Sequence, residues 1–155
     1  MKRWKLILIT AVCVCLTVFA TPATAYAMDN NTSVVRYADG SYSIISITYD
    51  DEQAGISLTA GESTRRGTKR EDHYSYNGDL AWTFTLYGEF TYDGRKAEAT
   101  DADYSYKIYN SSWSFVTGSA SYSGATARAT GKFSLYGVTD TASVSLTCSA
   151  NGVLS

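Results

Sequence analysis

The stretch Leu80-Ala81-Trp82-Thr83-Phe84-Thr85-Leu86-Tyr87-Gly88-Glu89-Phe90-Thr91-Tyr92 decides the fold class. Leu80, Trp82, Phe84, Leu86, Phe90 and Tyr92 take alternate positions, with Gly88 in the same row. Thr83, Thr85, Tyr87, Glu89 and Thr91 take the other row. A helix returns side chains to one face every three or four residues, a strand every two. This alternation therefore describes one long strand with a buried and a solvated face. Asp93-Gly94 follows, a strong hairpin signal. A two-residue turn there predicts Phe90 opposite Ala97 and Glu89 opposite Glu98.

The same period continues downstream. Ala97 and Ala99 share one parity, and Tyr104, Tyr106 and Ile108 the other, which predicts a bulge or break between Ala99 and Tyr104. Asn110-Ser111-Ser112 reads as a turn, and Trp113 to Tyr122 as a strand. After Ser123-Gly124, the residues Ala125, Ala127, Ala129, Phe133 and Leu135 line an inward face. Gly137 to Asp140 turns again, and Val144, Leu146 and Cys148 complete the set. Small residues such as Ala97, Ala99, Ala127 and Ala129 are expected to face Trp82, Phe84 and Phe90, so that two layers interdigitate.

Upstream, Ser33 to Ala38 and Ser41 to Tyr49 read as strands around Asp39-Gly40, with a bulge or an end effect expected near Ile44-Ile45. Ile56, Leu58 and Ala60 mark a short third strand. Residues 61–79 are the most polar part, holding Arg65, Arg66, Lys69 and Arg70, then Glu71, Asp72 and His73. They read as an exposed loop or projecting hairpin. The expectation is all-β: an antiparallel two-sheet β-sandwich, immunoglobulin-like in general architecture, of about seven or eight strands.

The start of the chain bears on location. Lys2, Arg3 and Lys5 precede an apolar run from Leu6 to Ala20, then the small-residue sites Ala23-x-Ala25 and Ala25-x-Ala27. That is the layout of a secretory signal peptide over 1–27, with cleavage expected after Ala27 or, second, after Ala25. The run is short for a membrane span of about 20 residues. The reading is a secreted, extracellular domain over 28–155, with no membrane association after cleavage. Cys13 and Cys15 go with the leader, so Cys148 is left alone and reads as a buried thiol. Without Lys2, Arg3 and Lys5, ten of the 13 Lys and Arg remain against 15 Asp and Glu. This acidic balance argues against a nucleic-acid or anionic-membrane partner.

Trp82, Leu86, Gly88, Phe90, Tyr92 and Gly94, followed by Trp113, Tyr136-Gly137 and Leu146-Thr147-Cys148, resemble a group of small secreted proteins of Gram-positive bacteria. These share a signal peptide and a C-terminal β module and have no assigned function. The likeness covers the C-terminal half and rests on core and turn residues. It implies export and a β fold, and carries no catalytic residue.

No motif for catalysis, a metal or a cofactor stands out. Glu89 and Glu98, if opposed across the hairpin about 5 Å apart, have the spacing of a retaining glycosidase pair. Asp101 and Asp103, or Asp50, Asp51 and Glu52, are oxygen donors of the kind calcium takes, without a full calcium-loop motif. His73, the single histidine, reads as a solvated loop residue. The basic cluster Arg65 to Arg70 reads as a solvated loop, with phosphate polymers or a protease as alternative partners. Tyr87 and Tyr136, expected to face outward, are the candidate binding residues, because exposed rings with polar tips suit sugar stacking or a protein interface. The expected function is a non-enzymatic extracellular binding module for a glycan or protein. A small carboxylate hydrolase and a self-assembling surface subunit are the alternatives.

Overall fold

The computed structural model of the chain describes residues 24–29, 31–50 and 61–155. Among them are nine strands and no helix: β1 Thr24–Asp29, β2 Thr32–Arg36, β3 Tyr42–Tyr49, β4 Ser63–Tyr74, β5 Leu80–Tyr92, β6 Ala97–Ile108, β7 Trp113–Ser123, β8 Thr126–Leu135 and β9 Val138–Thr147. They form two antiparallel sheets, β1-β2-β3-β4-β5-β6 and β7-β8-β9. The architecture is the expected sandwich. Its connectivity is a meander in which each strand pairs with its sequence neighbours, unlike the Greek-key links of immunoglobulin domains.

Opposed residues in antiparallel strands point to the same side, so the registers give continuous rows across the large sheet. Val35, Ser43, His73, Trp82 and Ile108 form one inward row. Ile45, Glu71, Phe84 and Tyr106 form the next, then Ile47, Lys69, Leu86 and Tyr104. The core lies where these rows meet Ala127, Ala129, Phe133, Ala142, Val144 and Leu146 of the small sheet. Trp82 stacks on Phe133 with ring centroids 4.0 Å apart. Ala127 and Ala129 join the core from the small sheet as expected, whereas Ala97 and Ala99 lie on β6, in the same sheet as Trp82, Phe84 and Phe90, and so do not face them across the gap. A Cβ on Gly131 would lie 2.6 Å from the Phe84 ring, and one on Gly88 3.3 Å from the Ala127 methyl. Glycine at these two positions is what lets the aromatic rings close the layer.

Several local expectations need correction. Residues 61–79 are not a projecting loop: Ser63–Tyr74 is β4, inside the sheet between β3 and β5, and only 75–79 form a turn. A strand's ladder is made by backbone groups, so charged side chains do not prevent it when both neighbours supply partners. The basic cluster accordingly splits between faces. Arg66 pairs with Glu89 at 2.7 Å and Arg70 with Asp72 at 2.6 Å, while Arg65 lies over the Tyr49 ring at 5.7 Å. Lys69 points inward beside Leu86, and burial lowers its pKa. No bulge occurs at Ile44-Ile45; the register runs unbroken there, with Ile44 on the outer face opposite Val34 and Asp72.

The Asp93-Gly94 hairpin has a four-residue loop, with Tyr92 opposite Ala97. Asp93 accepts bonds from the backbone N–H groups of Arg95 and Lys96, both at 2.8 Å, which holds the wider loop. Phe90 therefore faces Ala99, not Ala97. The bulge expected after Ala99 is present, skipping Thr100 and placing Glu89 opposite Asp101. The last hairpin turns at Tyr136-Gly137, with φ of 49° and 86°, so β9 begins earlier than the expected 137–140 turn allowed. Most of the expected leader and the third strand at Ile56 to Ala60 lie outside the described residues; Thr24 to Ala27 fall within β1. Among the described residues no helix is long and apolar enough to cross a membrane.

Candidate functional site

Strict alternation of strand direction sends every second connection to the same end of the sandwich. Residues 37–41, 75–79, 109–112 and the Tyr136-Gly137 turn all arrive there. Between them lies a cleft of about 690 Å³, within the range of roughly 300–1,000 Å³ typical of small-ligand sites. Trp113, Tyr76 and Tyr136 supply aromatic surface, and Asp39, Asp79 and Asp140 supply carboxylates. His73 and Tyr37 also line it.

Each turn is fixed by its own polar side chains. Asp39 accepts from the Ser41 N–H at 3.0 Å and the Ser41 hydroxyl at 2.6 Å, and these bonds hold its carboxyl below the usual range. Asn77 donates to Asp79 at 2.7 Å. Asn110 accepts from the Ser112 N–H at 2.9 Å, and the Tyr136 hydroxyl donates to the Ser112 hydroxyl at 3.2 Å. A rim held by such bonds presents its aromatic and carboxylate groups with little ordering left to do on binding.

Behind the cleft sits a buried polar cluster on the inward rows of β3 and β4. The Ser43 hydroxyl donates to Glu71 Oε1 at 2.8 Å and lies 3.2 Å from both His73 Nδ1 and the Tyr37 hydroxyl. While Glu71 is ionised, Ser43 gives it its one proton and accepts from His73, which then carries its proton on Nδ1. His73 Nδ1 also lies 3.8 Å from Asp140 Oδ2. The ring stacks on Trp82 at 4.7 Å and meets the edge of Trp113 at 5.6 Å. Burial pushes the Glu71 carboxyl up to about 7, aided by the Asp140 charge and opposed by the bonds from Ser43 and Tyr37. Burial pulls the His73 pKa down, with Asp140 and Asp39 acting the other way. Near neutral pH the cluster thus holds a neutral imidazole beside a carboxyl that is partly protonated.

Serine, histidine and acid meet here, yet not as a nucleophilic triad. Ser43 and Asp140 both address Nδ1, whereas a triad needs the hydroxyl on one ring nitrogen and the acid on the other. Ser43 has no exposed surface.

The residues singled out from sequence fare unequally. Tyr136, at the turn, is 86% exposed and lines the cleft. Tyr87 is also outward, 44% exposed, but lies on the outer face of the large sheet, bonded to Ser105 at 3.1 Å. The two do not share a surface. His73 is 4% exposed, a correction to the solvated-loop reading, because β4 carries it into the core row. Glu89 and Glu98 are not opposed: Glu89 pairs with Arg66, and Glu98 with Lys96 at 3.0 Å. Asp101 and Asp103 lie on the outer face opposite Glu89 and Tyr87. Asp51 and Glu52 lie outside the described residues. Among the described residues no three His, Cys, Asp or Glu side chains gather to hold a metal ion. Cys148 is buried, as expected, and burial raises its pKa.

Sequence reasoning passed over Tyr37, Ser43, Glu71, Trp113 and Asp140 as site residues. A usable signal was present in parity: Ser43 shares the row of Ile45 and Ile47, and Asp140 that of Ala142, Val144 and Leu146. A polar residue in an inward row, next to a turn, marks where a core opens into a site.

By fold and site the protein is an all-β two-sheet sandwich with an aromatic and acidic cleft at one end. Comparison with protein-family models, curated proteins and solved structures found no match.

Proposed function

We propose that the protein is a non-enzymatic binding module, exported from a Gram-positive bacterium, whose end cleft receives a glycan. One observation carries this reading: a single cleft joins the faces of Trp113, Tyr76 and Tyr136 to the hydrogen-bonding groups of Asp39, Asp79, Asn110 and Asp140. Sugars present apolar C–H faces edged by hydroxyls, and rigid rings beside carboxylate and amide groups match both. The signal-peptide layout supports an extracellular setting, where envelope glycans are within reach.

The hydrolase alternative has one point in its favour, since Glu71 has the raised pKa of a general acid. Glu71 is 4% exposed and does not line the cleft. A general acid must come within hydrogen-bond reach of the leaving oxygen. Binding is the better reading.

The test is retention on an array of bacterial envelope glycans, comparing the protein with Tyr136→Asn and Tyr87→Ala. Asparagine tolerates the left-handed backbone of position 136, so the turn is kept while the ring and its bond to Ser112 are lost. Retention that falls with Tyr136→Asn and survives Tyr87→Ala is expected. No retained glycan, or loss only with Tyr87→Ala, overturns the proposal.

A further inference from the structure

The charge of the cleft is one-sided. Of the described residues that line it, Asp39, Asp79 and Asp140 are carboxylates, and none is lysine or arginine. Three cations of the neighbouring strands are engaged elsewhere: Arg36 over the Tyr42 ring at 5.7 Å, Arg70 with Asp72, and Lys107 over the Tyr109 ring at 4.8 Å. The bonds that reach Asp39 and Asp79 come from neutral serine and asparagine groups. Asp140 faces His73, whose burial favours the neutral ring. The same cavity presents Trp113, Tyr76 and Tyr136, and aromatic faces attract cations through their electron-rich surface. A neutral sugar leaves these carboxylates with hydroxyl partners alone. A sugar bearing a protonated amine meets both the rings and the acids.

Resting on the glycan reading above, we infer that the cleft selects an amino sugar with a free ammonium group. The ammonium sits among Asp79, Asp140 and the Trp113 and Tyr136 rings, and the sugar body lies along the aromatic surface. Acetylation of the nitrogen removes the charge and a donor together, so the N-acetylated form of the same sugar binds less well.

Isothermal titration of the full chain with short glucosamine oligomers, and with N-acetylglucosamine oligomers of equal length, tests this. The free-amine form should bind tighter by about tenfold or more, the scale of one charge-assisted contact. Asp140→Asn and Asp79→Asn should each shrink that preference, while Tyr136→Asn weakens both sugars. Equal or tighter binding of the acetylated oligomer overturns the amine preference and leaves the glycan reading standing. Binding of neither oligomer overturns the amine preference, and an empty envelope-glycan array beside it overturns the glycan reading too. Preferential binding of a short lysine peptide overturns the amino-sugar assignment in favour of a protein ligand.

Discussion

Replacing Glu71 by glutamine keeps the outline of the side chain and an oxygen to accept from Ser43 and Tyr37, and removes the proton equilibrium. In the fold, burial raises the carboxyl from the ordinary 4.5 to about 7. The folded protein therefore holds this proton more tightly than the unfolded chain does. Its contribution to stability is fully present below 4.5 and is lost as pH rises through about 7. At about 1.4 kcal/mol per pH unit, that interval amounts to about 3 kcal/mol. Tyr37 and Ser43 bond the group, Asp140 and Asp72 act on it through their charge, and all four remain in both proteins. Urea unfolding of wild type and Glu71→Gln should then give similar stabilities at about pH 4 and a variant more stable by up to about 3 kcal/mol at about pH 8.5. Parallel pH profiles would show that Glu71 is ionised within the fold and refute the reasoning.

Trp82 has no exposed surface and stacks between His73 and Phe133. Trp82→Ala should cost about 3–5 kcal/mol in urea unfolding, and a loss near zero would invert the inward row. Gly131→Ala places a methyl carbon 2.6 Å from a fully buried Phe84 ring. It should cost about 1–3 kcal/mol and lower the thermal midpoint, with Phe84→Leu in the same chain recovering part of the loss; simple additivity would count against the clash.

What could be read from sequence follows from which faces are apolar. β5 was legible because one of its rows is almost wholly aliphatic or aromatic, and β8 and β9 because alanine, valine, leucine and phenylalanine hold one parity. β4 was not. Its inward row is Arg65, Gly67, Lys69, Glu71 and His73, stabilised by stacking, bonds to Ser43 and a ladder on each side, none of which leaves a hydrophobic period. The β5–β6 register was missed because Asp93 caps a wider loop and the Gly94 N–H is held by the Ala150 carbonyl at 2.9 Å, a partner far along the chain. The cleft escaped for a related reason. Its walls come from four connections spread between Tyr37 and Asp140, and only the direction of each strand decides that they meet.

The meander has a consequence for how the chain reaches its native state. Each pairing within a sheet joins strands already adjacent in sequence, so every ladder can close as a hairpin, without the entropic cost of a long loop. A Greek-key sandwich must instead bring remote strands together before any ladder rewards it, and such topologies fold slowly. Here the remote joins are clasps between finished sheets: the Tyr49 hydroxyl on the Leu154 carbonyl, 105 residues on, and His73 beside Asp140. The cleft, whose walls come from both sheets, is complete only once the two sheets have met.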